Sequence, residues 1–137
     1  MPSAQGIHSG RQEHPKASQA RSIMRGLMGS TDTGVQAAAA ITSDGLVIAS
    51  VLQPGVDADR FAAMSASLLA LAEREIAEIR RGKLRQLLIE GTEGAVLLVR
   101  CGEDAVLAVS TNPGALLGKV FLEARRTGLK LAELLEG

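Results

Sequence analysis

A helix lying on one layer buries a single stripe of itself, and residues 57–81, DADRFAAMSASLLALAEREIAEIRR, carry more apolar surface than one stripe holds. At 3.6 residues per turn this stretch predicts a helix of about seven turns. Phe61, Met64, Leu68, Leu71 and Glu75 fall in one row at i, i+3, i+4 spacing. Ala62, Ser65, Leu69, Ala72, Ile76 and Ile79 fall in a second row beside it. An amphipathic surface helix covers an apolar arc of roughly 100°, so a wider arc implies contacts on two sides. The expectation is that one row closes the protein's own sheet. The row rich in small residues, over which another backbone can approach closely, then meets a second protein chain.

The stretches around this helix are short and well punctuated. Residues 17–28, ASQARSIMRGLM, put Ile23, Met24, Leu27 and Met28 on one side of a helix that Gly26 weakens. Residues 35–41, VQAAAAI, and 46–52, LVIASVL, read as two strands joined at Asp44-Gly45, which supplies the positive φ angles of a two-residue hairpin turn. Pro54-Gly55 ends the second strand, and Asp57 stands where a helix needs an N-cap acceptor. At the far end Arg80, Arg81 and Gly82 form a basic, glycine-terminated stop. Residues 83–90, KLRQLLIE, are apolar on both parities, as in a strand covered on both sides, and a second subunit is one source of such cover. Gly91–Gly94 is a turn, and AVLLVRCG and AVLAVS form a second hairpin across Gly102, Glu103 and Asp104. Asn112 is the expected N-cap of the last helix, with Pro113 at its first position. In that helix Leu117, Val120, Phe121, Ala124, Gly128, Leu131 and Leu135 form a narrow apolar stripe, opposite Lys119, Glu123, Arg125, Arg126 and Lys130. The order αββαβββα predicts an α+β sandwich, one five-stranded antiparallel sheet with helices on both faces.

Composition removes several function classes. Lys plus Arg equals Asp plus Glu at 15 each, so no basic excess points to nucleic acid. With two Phe and neither Trp nor Tyr, the chain lacks the aromatic platforms on which bases stack. No signal peptide and no membrane-inserting helix are expected. A single cysteine, Cys101, reads as a core filler in a reducing cytoplasm. Residues 1–16 hold both histidines and little apolar content, and read as a disordered tail ahead of a domain at 17–137. His8 and His14 have no third ligand in view, so neither a metal nor a cofactor is expected. With no histidine in the folded part, a Ser-His-Asp or Cys-His pair cannot be assembled there. No GxxxxGK[ST] or GxGxxG phosphate loop occurs. The Glu73/Glu75 and Glu103/Asp104 pairs read as solvated charge, and no catalytic residue is assigned.

Four strings in order, AAAAITSDGLVIAS, DADRFAAMSASLLALAE, QLLIEGTEGAVLLV and DAVLAVSTNPGALLGKVFLEARR, resemble the roadblock family, which includes the roadblock-type dynein light chains and the bacterial gliding-motility protein MglB. The resemblance spans residues 17–135 and implies a profilin-like sandwich. It also implies a homodimer in which the long helices pack antiparallel and the following strands pair edge to edge. The implied dimer residues are Phe61, Met64, Ser65, Leu68, Leu69, Ala72, Ile76, Leu84, Gln86, Leu87, Leu88 and Ile89. MglB-like members act on small Ras-like GTPases by adjusting the GTPase's own catalytic elements, so the resemblance implies a non-catalytic regulator. Asp59, Arg60, Ser67 and Arg74 are the candidate GTPase contacts. Arg60 and Arg74 could also be imagined as arginine fingers, although the family is not known for donating one. The alternative is a scaffold or light-chain-like adaptor of a larger complex. A small-ligand sensor has less behind it, because such pockets need convergent polar groups.

Overall fold

The computed structural model describes residues 13–30 and 33–137. The elements are α1 (Ala17–Met28), β1 (Val35–Thr42), β2 (Val47–Val51), α2 (Ala58–Glu78), β3 (Gln86–Gly91), β4 (Gly94–Cys101), β5 (Ala105–Thr111) and α3 (Leu117–Glu136). The strands form one antiparallel sheet in the order β2-β1-β5-β4-β3. The β1–β2 hairpin and the β3–β4–β5 meander are thus joined through β1 and β5, and among the described residues β2 and β3 are the edges. The αββαβββα order and the layered α+β architecture are those expected from the sequence.

Period-two alternation sends successive residues of each strand to opposite faces, and the core divides accordingly. Ala38 and Ala40 of β1, Leu97, Val99 and Cys101 of β4, and Leu107 and Val109 of β5 face α1 and α3. They meet Ala20, Met24 and Leu27 of α1 and Val120, Ala124 and Leu131 of α3. Ala39, Ile41, Leu98, Val106 and Ala108 face the other way, under Ala62 and Leu69 of α2. The side bearing two helices holds the larger cluster, and α2 alone covers the second.

Lys16 ties α1 to α3. Its ammonium donates to the carbonyls of Leu134 (2.6 Å) and Gly137 (3.1 Å), a cation at the negative end of a helix that also satisfies carbonyls with no partner inside it. Of the stretch expected to be a disordered tail, residues 1–12, with His8, lie outside the described residues. Lys16 is engaged by these two bonds, and His14 accepts a hydrogen bond at Nδ1 from the Lys16 amide (3.0 Å).

Three local expectations are corrected. The first hairpin has a three-residue loop. Thr42 donates its amide to Leu46 O (2.8 Å), Gly45 donates to Thr42 O (3.0 Å), and only Gly45 of the turn has positive φ, 95°. A type I turn followed by one left-handed residue gives this geometry. A β-carbon on Gly45 would stand 3.3 Å from Ala63 Cα, so the hairpin tip lies close against α2.

The second correction concerns the end of α2, which comes at Glu78, capped by Ile79, rather than at Arg81. Arg80 has φ of 56°, Arg81 donates to Ile76 O (3.0 Å) and Arg80 to Ala77 O (3.0 Å). This is the paired-bond helix stop in which glycine is usual; here arginine fills the left-handed position. At the other end Asp57 caps α2 as expected, accepting from the Arg60 amide (3.2 Å).

The third is the start of α3 at Leu117, with no side-chain cap. Asn112 and Pro113 instead form a turn in which Ala115 donates to Asn112 O (3.2 Å). Proline's fixed φ suits the second position of such a turn as well as it suits a helix start.

Candidate partner-binding face

The two rows of α2 do different work from that expected. The small-residue row is the one on the sheet, where Ala62 is 0% exposed, Ser65 3% and Leu69 2%. Met64 (56%), Leu68 (41%) and Leu71 (62%) of the other row stand in solvent. The expectation that the small residues meet a second chain is therefore reversed. The reason is steric: α2 comes closest to β1 and β2, with Ala39 in the cluster beneath it, and the small side chains of Ala62 and Ser65 permit that approach. Ser65 and Leu69 are buried within their own chain, Ala72 and Ile76 are half-buried, and Phe61 packs on the α2-side cluster. Phe61 also lines a cavity of about 180 Å³ with Ala37, Leu52, Val56 and Ala108.

Helical spacing puts Arg60, Met64, Ser67, Leu71 and Arg74 on one exposed line. Three of the four proposed partner contacts are thus brought together around apolar side chains. Asp59 lies on the flank with Ala63, toward the Gly45 turn. Leu71, together with Ile79 at the helix end (54% exposed), belongs to the exposed apolar surface although the predicted contacts did not include it. The signal was present, because both sit in the apolar rows of the helix.

Among the described residues strand β3 is bonded only to β4, so its outer edge presents backbone groups of the kind another strand completes. Leu84 and Leu87 pack toward α2, Leu88 packs toward α1 and α3, and Ile89 is 39% exposed. Gln86 is half-buried, and its Oε1 is shielded with no hydrogen-bond partner among the described residues.

One polar constellation escaped the sequence reading. Arg100 on β4 points to the α2 face, where Nε (2.9 Å) and Nη2 both donate to Glu73 Oε2. Its Nη1 donates to Ser43 Oγ (3.0 Å), so one guanidinium joins α2, β4 and the β1–β2 turn. The available clue was a charged residue on the inward parity of the otherwise apolar strand AVLLVRC. Glu73 is therefore a structural anchor rather than half of an acid/base pair. Cys101 is buried, and burial pushes its thiol up to about 12, against small opposing effects of a backbone hydrogen bond at Leu107 and the Arg100 charge. Among the described residues no three His, Cys, Asp or Glu stand together as a metal set, and none of their helices is long and apolar enough to cross a membrane.

With this geometry in place, residues 29–111 match the Roadblock/LC7 domain. The chain belongs to the Roadblock/LC7 family. Among similar sequences, the uncharacterized proteins MJ1340 and MJ0310 of Methanocaldococcus jannaschii are each 39% identical over 98 residues, 72% of this chain and 85% of theirs. Among solved structures, Myxococcus xanthus MglB superposes with a TM-score of 0.81 at 18% identity, covering 92% of this chain and 94% of that one. A Roadblock/LC7 domain from Streptomyces avermitilis gives 0.76 at 23% identity, covering 84% and 96%. Profilin IA of Acanthamoeba castellanii gives 0.60 at 15%, covering 86% and 97%. At these identities the structural likeness establishes the fold, a Roadblock/LC7 sandwich of profilin-like architecture. The matched segment ends with β5, and the superposition with MglB extends over nearly the whole chain.

Proposed function

We propose that the protein is a homodimeric, non-catalytic regulator of a small Ras-like GTPase. One observation supports this reading above others: a Roadblock/LC7 chain leaves an apolar line on α2 in solvent, beside an unpaired β3 edge. Burying Met64, Leu68 and Leu71 against a twin would remove from water a surface that costs about 25 cal/mol per Å² to leave exposed. Antiparallel packing of two α2 helices brings the two β3 edges together, where Leu87 and Ile89 continue the apolar surface. Arg60, Ser67 and Arg74 then rim the platform as contacts for the GTPase. The chain would act on the GTPase's own catalytic elements, by activating hydrolysis or by holding one nucleotide state.

The dimer and the partner are tested separately. Leu68→Glu changes an exposed residue, so the variant is expected to fold normally and to lose at least tenfold in dimer affinity by light scattering. Leu69→Glu would instead unfold the chain, since Leu69 is 2% exposed. A Leu68→Glu variant with wild-type mass would refute the α2 interface. For the partner, GTP hydrolysis and nucleotide release by Ras-like GTPases of the same genome are measured with and without the protein. A change in either supports regulation. A dimer that leaves both unchanged for every such GTPase refutes it in favour of the adaptor role.

A further inference from the structure

We propose that β3 selects its own partner: it pairs antiparallel with β3 of a second copy, Leu88 lies on the two-fold axis, and Gln86 clasps Glu90 at each end of the seam. This rests on the homodimer proposed above and adds which residues meet in it and why the partner is another copy of this chain.

Backbone geometry limits the choices first. In an antiparallel ladder, residues of alternate parity turn their N–H and C=O groups to opposite sides of the strand. The Arg100 amide donates to Arg85 O (3.4 Å), and the next residues inward, Gln86 and Val99, are paired. Arg85, Leu87 and Ile89 therefore direct their backbone groups to β4, while Gln86, Leu88 and Glu90 turn theirs outward. Two such edges exchange bonds only where even-numbered residues stand opposite even-numbered ones. The same registers keep both α2 helices on one side of the joined sheet, because directly opposed residues share a face.

Side chains then choose among these registers. Residues 86–90 read QLLIE, and a two-fold axis at Leu88 lays this string against EILLQ. Leu88 meets Leu88, Leu87 meets Ile89 on the α2 side, and Gln86 meets Glu90 on the opposite side. Arg85 falls opposite Gly91 and meets no charge. An axis at Leu87 would set Glu90 against Leu84 and Gln86 against Leu88, and an axis at Ile89 would set Glu90 against Leu88. Both lay a carboxylate on an apolar side chain, which costs free energy that the Leu88 axis avoids.

The polar pair has support of its own. Gln86 is half-buried, its Oε1 is shielded, and its carboxamide makes no hydrogen bond among the described residues. Shielded amide groups are nearly always bonded. Glu90 is exposed and has no ion pair or hydrogen bond among the described residues. A donor without an acceptor and an acceptor without a donor thus stand on one face of the strand, at the two ends that the axis exchanges. Across the seam Gln86 Nε2 donates to the Glu90 carboxylate of the second copy, a charge-assisted bond made twice per dimer. A foreign strand with no carboxylate at that place leaves the amide unpaired, and that difference favours the twin.

Disulfide trapping reads the register. In the Cys101→Ala background, Leu87→Cys and Ile89→Cys are made as separate variants, then mixed and oxidised with diamide. With the axis at Leu88, positions 87 and 89 of opposite copies form a non-hydrogen-bonded pair with Cα atoms about 4.5 Å apart, within disulfide reach. Two 87 positions, or two 89 positions, are diagonal neighbours about 7–8 Å apart and out of reach. Expected is a crosslinked dimer in the mixture and little in either variant alone. Crosslinking of either variant by itself moves the axis and overturns the proposal. A dimer by light scattering that no combination crosslinks also overturns it and leaves the α2 interface standing, whereas a monomeric chain removes both readings. Charge reversal tests the clasp without thiols. Gln86→Glu sets carboxylate against carboxylate at both ends and should weaken the dimer at least about tenfold. Adding Glu90→Lys should restore it, because opposite charges then face each other across the seam and not within one chain. A folded double variant that stays as weak as Gln86→Glu overturns the clasp.

Discussion

Removing Arg100 should loosen α2 selectively, and the effect can be sized from its contacts. Only Ala62, Ser65 and Leu69 of α2 are fully buried, so beyond Leu69 the hold on the sheet passes to half-buried Ala72 and Ile76 and to the Arg100–Glu73 pair. A charge-assisted bond in a buried setting contributes about 1.5–3 kcal/mol, and an exposed ion pair about 0.2–1. With the side chains of Arg100 and Glu73 26% and 34% exposed, solvent screening places their coupling near 1 kcal/mol. Arg100→Ala also loses the Ser43 contact and one to the Glu103 carbonyl, raising the total to about 2 kcal/mol. For a chain of this length that lowers the melting temperature by about 5–10 °C. The assay is a double-mutant cycle with Glu73→Ala in chemical denaturation, joined to amide hydrogen exchange over residues 73–79, which should speed up in either variant. Running the cycle in the Leu68→Glu background keeps a partner chain from masking the loss. A coupling below about 0.3 kcal/mol, or unchanged exchange in that segment, would refute the claim that this pair secures the helix.

Four other outcomes follow from the same structure. Gly26→Ala, at an exposed helical site with open space beside it, should stabilise the chain by about 0.5–1 kcal/mol. Gly94→Ala should cost more than about 2 kcal/mol, because φ is 140° and the new carbon would stand 2.2 Å from Thr111 O; denaturant midpoints of the two variants on opposite sides of wild type check the pair. Arg80→Gly relieves a left-handed non-glycine residue and should raise stability by up to about 1 kcal/mol, and a loss would show that the arginine side chain makes a contact worth more than the strain. The Cys101 thiol ionises near 9.0 when solvated and near 12 when folded, so the unfolded chain releases its proton first. Its contribution to stability is complete below pH 9 and falls as pH rises from 9 toward 12. The slope is at most about 1.4 kcal/mol per pH unit, and Cys101→Ala should remove it; native protein should resist thiol reagents until unfolded.

The element order, the cap at Asp57 and the burial of Cys101 were legible in the sequence because each rests on local periodicity or on one residue's intrinsic chemistry. That α2 has two apolar sides was legible for the same reason. Which side faces inward was not, since Ala62, Ser65 and Leu69 turn to a sheet face on which Ala39 and Ala108 stand beside Ile41, Leu98 and Val106, a fit that no local pattern encodes. The turn at Asp44-Gly45 was placed correctly and typed wrongly, because the same residues serve several turn geometries and the flanking strand bonds choose among them; Asn112-Pro113, expected as a helix start, forms a turn ahead of the helix at Leu117. Arg100 and Glu73 are 27 residues apart, and only the packing of α2 over β4 makes them partners. The sequence determined which stretches become helix and strand and that the long helix had more to bury than its own sheet could take. Tertiary packing decided which surface remained, because exposure is a property of what lies opposite a residue and not of the residue itself.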